Sequence, residues 1–280
     1  IFGSEMKMLN SFSLGKKNLN IQQFKPGHYM ILDNNSIGDD KTYWTFMPDN
    51  KFIKYFHRHK YYDNLNLCKD RLPHGNIEDA FEQIRVSLSN SVKRRVTTSD
   101  RPIACLLSGG LDSSVITALV NKYYSSQERR LKTFSIGMPG SEDIKNARIV
   151  AEYLNTEHTE IILTPDEFFN AIPEVIDAIQ SYDTTTVRAS VGNYLIGKYI
   201  AETTDAKVVF NGDGSDEVTG GYLYFLNAPN DLEFDKECRR LVSNIHNFDV
   251  LRSDRSISSN GLEPRTPFLD KNFVNYYLSL

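Results

Sequence analysis

The chain has 280 residues, of which 40% are hydrophobic and 24% charged, a composition typical of an ordinary folded protein. It has no apolar run of about 18 residues and no basic, apolar leader, so neither a membrane span nor a signal peptide is predicted, and we expect a cytoplasmic protein. Residues 101–280 carry 17 basic and 25 acidic side chains, which argues against a nucleic-acid partner. Cys68, Cys105 and Cys238 are too few and too far apart for a disulfide framework or a structural zinc site.

The N-terminal part of the chain, residues 1–66, alternates apolar and polar positions and contains several turn signals. This pattern predicts short antiparallel strands, with residues 29–32 and 43–46 as candidates. A linker interrupted by Pro73 and Gly75 follows, and we place a second domain at residues 72–280. That domain opens on an amphipathic helix, marked by Ile77, Phe81, Ile84, Leu88 and Val92.

Strand and helix patterns then alternate along the chain. Strands are predicted at residues 103–107, 132–136, 159–163 and 207–210, and helices lie between them. This alternation predicts an α/β fold with a doubly wound parallel sheet. Ligands bind beyond the carboxyl ends of such strands, so we expect the loops after Leu107, Ile136 and Phe210 to converge on one crevice.

The loop after the first of these strands is the most distinctive segment of the sequence. A strand that ends in two glycines and leads into a helix can point successive N–H groups into one concavity, which binds phosphate. The residues of this predicted phosphate loop are Ser108, Gly109, Gly110, Leu111, Asp112, Ser113 and Ser114.

Asp112 fits beside phosphate when a cation accompanies the anion, because a bare carboxylate would repel it. Asp216 lies on the loop after the strand at 207–210, so both acids can approach one Mg²⁺ ion whose remaining ligands are pyrophosphate oxygens. The sequence therefore predicts a magnesium nucleotide, with Asp112 and Asp216 as metal ligands.

Strand, Ser-Gly-Gly-Leu-Asp-Ser-Ser and helix together resemble the ATP pyrophosphatases, enzymes that split ATP into AMP and pyrophosphate. Further segments resemble glutamine-dependent asparagine synthetases in content and order: residues 134–137, 182–190, 212–217, 220–222 and 263–270. Residues 1–66 are similar to the C-terminal part of the glutamine amidotransferase domain of that family, a β-rich remnant of an N-terminal-nucleophile fold.

The resemblance implies an adenine nucleotide alpha hydrolase-like fold and a ligase that amidates L-aspartate through β-aspartyl-AMP. ATP and Mg²⁺ are the implied cofactors, L-glutamine or ammonia supplies the nitrogen, and a homodimer is one possible assembly. It also implies nucleotide-binding roles for Leu106, Ile136 and Gly212, and catalytic roles for Arg188 and Asp213. Leu106 and Ile136 are explained equally well by core packing.

The chain departs from the family pattern at two positions, where Asp213 stands for the usual glutamate and Asn211 for the more common serine. The family's cysteine nucleophile and catalytic lysine are expected outside the sequence, upstream of Ile1 and downstream of Leu280. Two alternatives therefore stay open: an adenylating enzyme that closes a β-lactam ring, and a degenerate domain that binds nucleotide without catalysis.

Three further patterns can be explained without a binding or catalytic role. Residues 192–198 mimic a phosphate loop but have helical spacing. Asp249 is either a family acid or the partner of Arg252 in a helical ion pair. Glu263, Arg265 and Asp270 are expected to form charge pairs that shape a loop.

Overall fold

The structure, a computed structural model, describes residues 3–13, 21, 28–29, 32–37, 41–46, 53–54, 76–125 and 129–280. The chain divides into two compact units, Ile1–Asp70 and Arg71–Leu280. None of the described helices is both long and apolar enough to cross a bilayer.

The first unit contains short antiparallel strands. Its described elements are α1 (Met6–Ser13), β1 (His28–Tyr29), β2 (Leu32–Ile37), β3 (Lys41–Phe46) and β4 (Ile53–Lys54). β2 pairs with β3, with Asn34 opposite Trp44, and β1 pairs with β4. The predicted strand at 43–46 lies within β3. Residues 29 and 32 belong to β1 and β2, and residues 30–31 lie outside the described part of the chain.

The second unit is built on a five-stranded parallel sheet. The strands are β5 (Ile103–Leu106), β6 (Lys132–Gly137), β7 (Glu157–Ile162), β8 (Val208–Phe210) and β9 (Glu263–Arg265), in the order β7-β6-β5-β8-β9. Every pair in this sheet is parallel. The first four strands confirm the prediction, and the α/β class is therefore confirmed.

Helices connect these strands. They are α2 (Ile77–Thr97), α3 (Leu111–Tyr124), α4 (Glu142–Leu154), α5 (Pro165–Asn170), α6 (Ile172–Ile179), α7 (Thr184–Thr203), α8 (Ser215–Thr219), α9 (Asp231–Asn244), α10 (Ser256–Ser258) and α11 (Lys271–Tyr277). Short 3₁₀ turns cover Leu223–Asn227, Ile245–Asn247 and Pro267–Leu269, and a π-helical turn covers Leu251–Arg255. The mimic at residues 192–198 lies inside α7, as its spacing predicted.

Successive side chains of a strand point to opposite faces of the sheet, so apolar side chains lie on both faces. Helices cover both of them. On one face Ala104 of β5 joins a core cluster with Ile196 and Ile200 of α7. On the other face Leu107 packs against Ala147 and Ala151 of α4. Burying an aliphatic side chain of this kind contributes about 1.5–3 kcal/mol, so these clusters fix α7 and α4 on the sheet.

The strand order creates a switch point at the centre of the sheet. From β5 the chain builds outwards through β6 and β7 on one side, and then through β8 and β9 on the other. The loops after β5 and β8 therefore leave neighbouring strands in opposite directions and open a crevice between them. This crevice is the expected ligand site of a doubly wound sheet.

Helix α2 is buried only along its C-terminal half. Its buried residues are Leu88, Ser91, Val92 and Val96, whereas Ile77 and Phe81 are exposed. The predicted helix is confirmed, and its apolar side chains are buried in its C-terminal turns but not in its N-terminal turns. Asn76 caps the helix by accepting a hydrogen bond from the Glu78 N–H.

Candidate active site

The phosphate loop connects β5 to α3 and rests directly on α4. Gly109 has φ +81°, and a Cβ atom there would lie 2.4 Å from the Ala147 nitrogen. Only glycine allows this backbone conformation and this close approach. The close packing of the loop on α4 therefore requires glycine at position 109.

Hydrogen bonds within the loop fix its shape. The Ser113 Oγ accepts the Ser108 N–H at 3.2 Å, and the Ser108 Oγ accepts the Gly110 N–H at 3.3 Å. No side chain caps α3 at Gly110, and the buried Ser114 Oγ has no hydrogen-bond partner among the described residues. The first turn of α3 thus offers N–H groups to an anion, whereas the Ser114 hydroxyl is buried.

A second loop, residues 211–214, leads from β8 into α8, and this loop and the first turn of α8 contact the first loop. A Cβ atom on Gly212 would lie 2.9 Å from the Ser113 nitrogen and 3.0 Å from the Asp112 Cβ. The Ser215 Oγ donates to the Asp112 Oδ1 at 2.9 Å, a contact between residues 103 positions apart. The two predicted loops therefore meet at the switch point.

The carboxylates of Asp112 and Asp216 interact electrostatically. Burial and, next, the charge of Asp112 raise the pKa of the Asp216 carboxyl, while Arg252 acts in the opposite direction. No cation among the described residues forms an ion pair with either acid. The charge of Asp112 thus acts on Asp216, and no direct ion pair among the described residues neutralises either carboxylate.

This arrangement fits Mg²⁺ bound together with phosphate. Within the described ranges no group of three or more His, Cys, Asp or Glu side chains is placed to enclose a metal. Mg²⁺ does not require such a cage, because it is usually held by one or two carboxylates, substrate phosphates and water. Asp112 and Asp216 remain the carboxylates that the sequence predicts for this role.

Asp213 lies at the same crevice but has its own counter-ion. The Arg252 Nη2 donates to Asp213 Oδ1 at 2.8 Å, and the Asn211 Nδ2 donates to Asp213 Oδ2 at 2.9 Å. Arg252 lies in the π-helical turn, a feature frequent at functional sites. Ser253 lies in the same turn, and its Oγ accepts a second hydrogen bond from the Asn211 Nδ2. Both carboxylate oxygens of Asp213 therefore have a fixed donor.

A buried acidic pair lies behind this network. Glu217 is only 3% exposed, and burial followed by the charge of Asp249 raises its pKa to about 7. Tyr222 donates a hydrogen bond to Glu217 Oε1, and Arg252 forms an ion pair with Asp249. The ion pair of Asp249 with Arg252, one of the two interpretations left open for Asp249, is present, and Arg252 also pairs with Asp213.

The other predicted site residues occupy different positions. Leu106 ends β5 and Ile136 lies near the end of β6, both partly buried against the core cluster below α7. A Cβ atom on Gly192 of α7 would lie 3.8 Å from the Ile136 Cγ2. Arg188 is exposed on the first turns of α7, and no hydrogen bond or ion pair joins it to another described residue. The structure therefore does not bring Arg188 into contact with Asp213.

Sequence reasoning did not identify the roles of Ser215, Arg252 and Ser253. Ser215 stands next to Asp216 in a Gly-Ser-Asp-Glu run, and Arg252 lies three residues after Asp249. The contact of Ser215 with Asp112 joins segments far apart in the chain, and so does that of Arg252 with Asp213. Local sequence therefore does not indicate these partners. Only the parallel sheet brings them together.

Comparison with solved structures gives weak likenesses. The NH3-dependent NAD synthetase from Campylobacter jejuni subsp. jejuni NCTC 11168 aligns with a TM-score of 0.35 and 19% identity, covering 60% of this chain and 75% of that one. At that score the likeness supports no conclusion about this chain.

Sequence comparison is far more specific. The asparagine synthase family model matches residues 83–236 and 226–280. Asparagine synthetase [glutamine-hydrolyzing] of Homo sapiens is 43% identical over 269 residues, covering 94% of this chain and 46% of that protein. The enzyme of the same description from Gallus gallus is also 43% identical over 269 residues, covering 93% and 46%. The chain thus spans about half the length of these curated relatives, and it belongs to the asparagine synthase family.

Proposed function

We propose that the complete protein makes L-asparagine from L-aspartate, ATP and an ammonia molecule derived from L-glutamine, and releases AMP and pyrophosphate. The activity named for the relatives that match this chain supports the proposal. The observation that carries the proposal is the junction of the two loops at the switch point, where Ser215 donates to Asp112 beside the phosphate loop.

In the first step an oxygen of the aspartate β-carboxylate attacks the α-phosphorus of ATP. The bond between that phosphorus and the bridging oxygen breaks, so β-aspartyl-AMP forms and pyrophosphate leaves. The N–H groups at the start of α3, with Ser108, Ser113 and Ser114, would hold the departing phosphates. Mg²⁺, held by Asp112 and Asp216, would neutralise the charge that develops on pyrophosphate.

The adenosine part of ATP would lie beside the ends of β5 and β6. Leu106 and Ile136 supply an apolar wall there, and Gly212 brings bare backbone close to Asp112 and Ser113. A flat base bound between apolar side chains and main-chain groups is a common arrangement in nucleotide sites.

In the second step ammonia attacks the activated carbonyl carbon. A carbon–nitrogen bond forms, the bond from that carbon to the AMP oxygen breaks, and one proton leaves the nitrogen. We assign acceptance of that proton to Asp213, whose carboxylate keeps lone pairs beyond those used by Arg252 and Asn211. Arg188, an exposed and unpaired cation among the described residues, is assigned to a substrate carboxylate or the α-phosphate.

The two units would then have separate tasks. Residues 1–66 would be the C-terminal part of a glutamine amidotransferase domain, and residues 72–280 an ATP pyrophosphatase domain. The short antiparallel strands of the first unit and the parallel sheet of the second support this assignment.

Product analysis tests the proposal. The complete protein is incubated with aspartate, ammonia and MgATP, and the nucleotide and amino-acid products are quantified. We expect AMP, pyrophosphate and asparagine in equal amounts. ADP as the nucleotide product would refute adenylation, ring closure without free ammonia would favour a β-lactam-forming enzyme, and nucleotide binding without turnover would favour a degenerate domain.

A further inference from the structure

We propose that Asn211 is a positioning residue that, together with Arg252, holds the Asp213 carboxylate where it can accept the proton of the attacking amine. This inference rests on the proposed function, because Asp213 acts in the ammonia step of that reaction. The contact that carries it is the 2.9 Å hydrogen bond from Asn211 Nδ2 to Asp213 Oδ2.

Asn211 is fixed on both sides of its amide. It is 4% exposed, its Nδ2 also donates to the Ser253 Oγ at 2.6 Å, and its Oδ1 accepts the Asp213 N–H at 3.3 Å. Both partners of Nδ2 are acceptors and the partner of Oδ1 is a donor, so the orientation of the amide is determined by the network. The side chain therefore links the π-helical turn to both the backbone and the carboxylate of Asp213.

Asp213 is correspondingly clamped between two donors from different elements. Arg252 approaches Oδ1 from the π-helical turn, and Asn211 approaches Oδ2 from the end of β8. A carboxylate has about four lone-pair positions, so two donors leave others directed at the crevice. The clamp thus orients the carboxylate without using up its capacity to accept a proton.

The lengths of the two side chains are matched. A glutamate at position 213 would carry its carboxylate about 1.5 Å farther from the backbone, past the reach of the Asn211 amide. A serine at position 211 has one short hydroxyl and cannot span Asp213 and Ser253 at once. Each single substitution should therefore break the clamp, while the two together give a longer acid that no longer needs the amide.

A double-mutant cycle in the complete protein tests this coupling. Wild type, Asn211→Ser, Asp213→Glu and the double variant are compared in two assays: aspartate-dependent ATP–pyrophosphate exchange, and the kcat and KM of ammonia-dependent asparagine formation. Loss of a hydrogen bond to a charged group predicts that each single variant lowers the kcat of synthesis about tenfold, while exchange stays within about threefold of wild type. The double variant should recover kcat to within about threefold of wild type, a clear departure from additivity.

Asn121→Ser is the matched control. The Asn121 Nδ2 donates to the Leu154 carbonyl at 2.9 Å near the far end of α3, so this variant loses an amide hydrogen bond away from the crevice. It should change neither assay. Additive losses in the cycle, or a loss of exchange that parallels the loss of synthesis in Asn211→Ser, would overturn the positioning role. Absence of exchange in the wild-type protein would instead refute the proposed function itself.

Discussion

The crevice and the junction between α2 and α11 both contain buried or partly buried acids, but their surroundings differ. At the junction Asp270 is 8% exposed, and its Oδ2 accepts from Arg94 at 2.6 Å and Arg95 at 2.8 Å. Although burial acts to raise its pKa, Arg95, the Asn272 N–H and Arg94 outweigh that effect and lower it. At the crevice burial and, next, the charge of Asp112 raise the pKa of Asp216.

The difference separates a structural acid from one that is prepared for a ligand. An acid neutralised by the protein's own arginines stabilises the contact between elements, as expected for Asp270. An acid whose pKa is raised by burial and by a second acid, as that of Asp216 is, favours a bound proton or a metal ion. We therefore propose that Asp112 and Asp216 bind a cation, whereas Asp270 stabilises the fold.

The largest expected effect is the loss of metal binding. Asp112→Asn and Asp216→Asn should each lower aspartate-dependent ATP–pyrophosphate exchange at least about 1000-fold, because the charge on pyrophosphate is no longer neutralised. The melting temperature should stay the same or rise, since repulsion between the acids is removed. Asp143→Asn, an exposed acid in the first turn of α4, is the control and should leave exchange intact. Normal exchange in either crevice variant would contradict the shared metal.

A second prediction compares two glycines with nearly the same backbone conformation. Gly109 has φ +81° and no room for a Cβ atom, whereas Gly140 has φ +84° and nothing within 4 Å. Gly109→Ala should lower the free energy of unfolding by about 3 kcal/mol or more and displace the phosphate loop, with a loss of exchange of about 100-fold. Gly140→Ala should cost only backbone strain, about 1 kcal/mol, and no exchange activity. Equal effects of the two variants would show that the loop does not depend on its contact with α4.

The smallest effect on catalysis is expected at the junction. Asp270→Asn should lower the free energy of unfolding by about 2 kcal/mol at pH 7 and leave exchange unchanged. Because the pKa of Asp270 is lowered in the folded state, its contribution is present above the unfolded pKa of about 3.9 and is lost as pH falls through the folded value.

Denaturant unfolding of wild type and Asp270→Asn at pH 7 and pH 3 measures this dependence. The difference between the two proteins should be large at pH 7 and shrink towards pH 3. A difference that is the same at both values would show that the charge of Asp270 does not stabilise the junction.

Much of the sheet could be predicted from the sequence because strands buried on both faces are continuous apolar runs. Residues Ile103–Leu106 and Val208–Phe210 have this pattern and were located to within about two residues. Strand β9 could not be predicted, since Glu263, Pro264 and Arg265 have no strand propensity. Its pairing with β8 at the edge of the sheet, where proline is tolerated, determines its conformation.

Part of the candidate site could likewise be predicted from the sequence, and part could not. The phosphate loop could be recognised because its glycines, serines and aspartate are consecutive and act through local backbone geometry. The bond from Ser215 to Asp112 and the ion pair of Arg252 with Asp213 could not, because they join residues 103 and 39 positions apart. The sequence therefore predicts which groups bind phosphate, and the fold shows which groups hold one another in place.

The proposed adenylation depends on one divalent ion shared by Asp112 and Asp216, and crystallography of the complete protein with Mn²⁺ and pyrophosphate tests this most directly. Anomalous scattering locates the ion independently of the protein. We predict one ion at the switch point, about 2.1 Å from an oxygen of each aspartate and bridging the pyrophosphate above the phosphate loop. An ion bound to pyrophosphate alone, or to residues outside the crevice, would contradict the account.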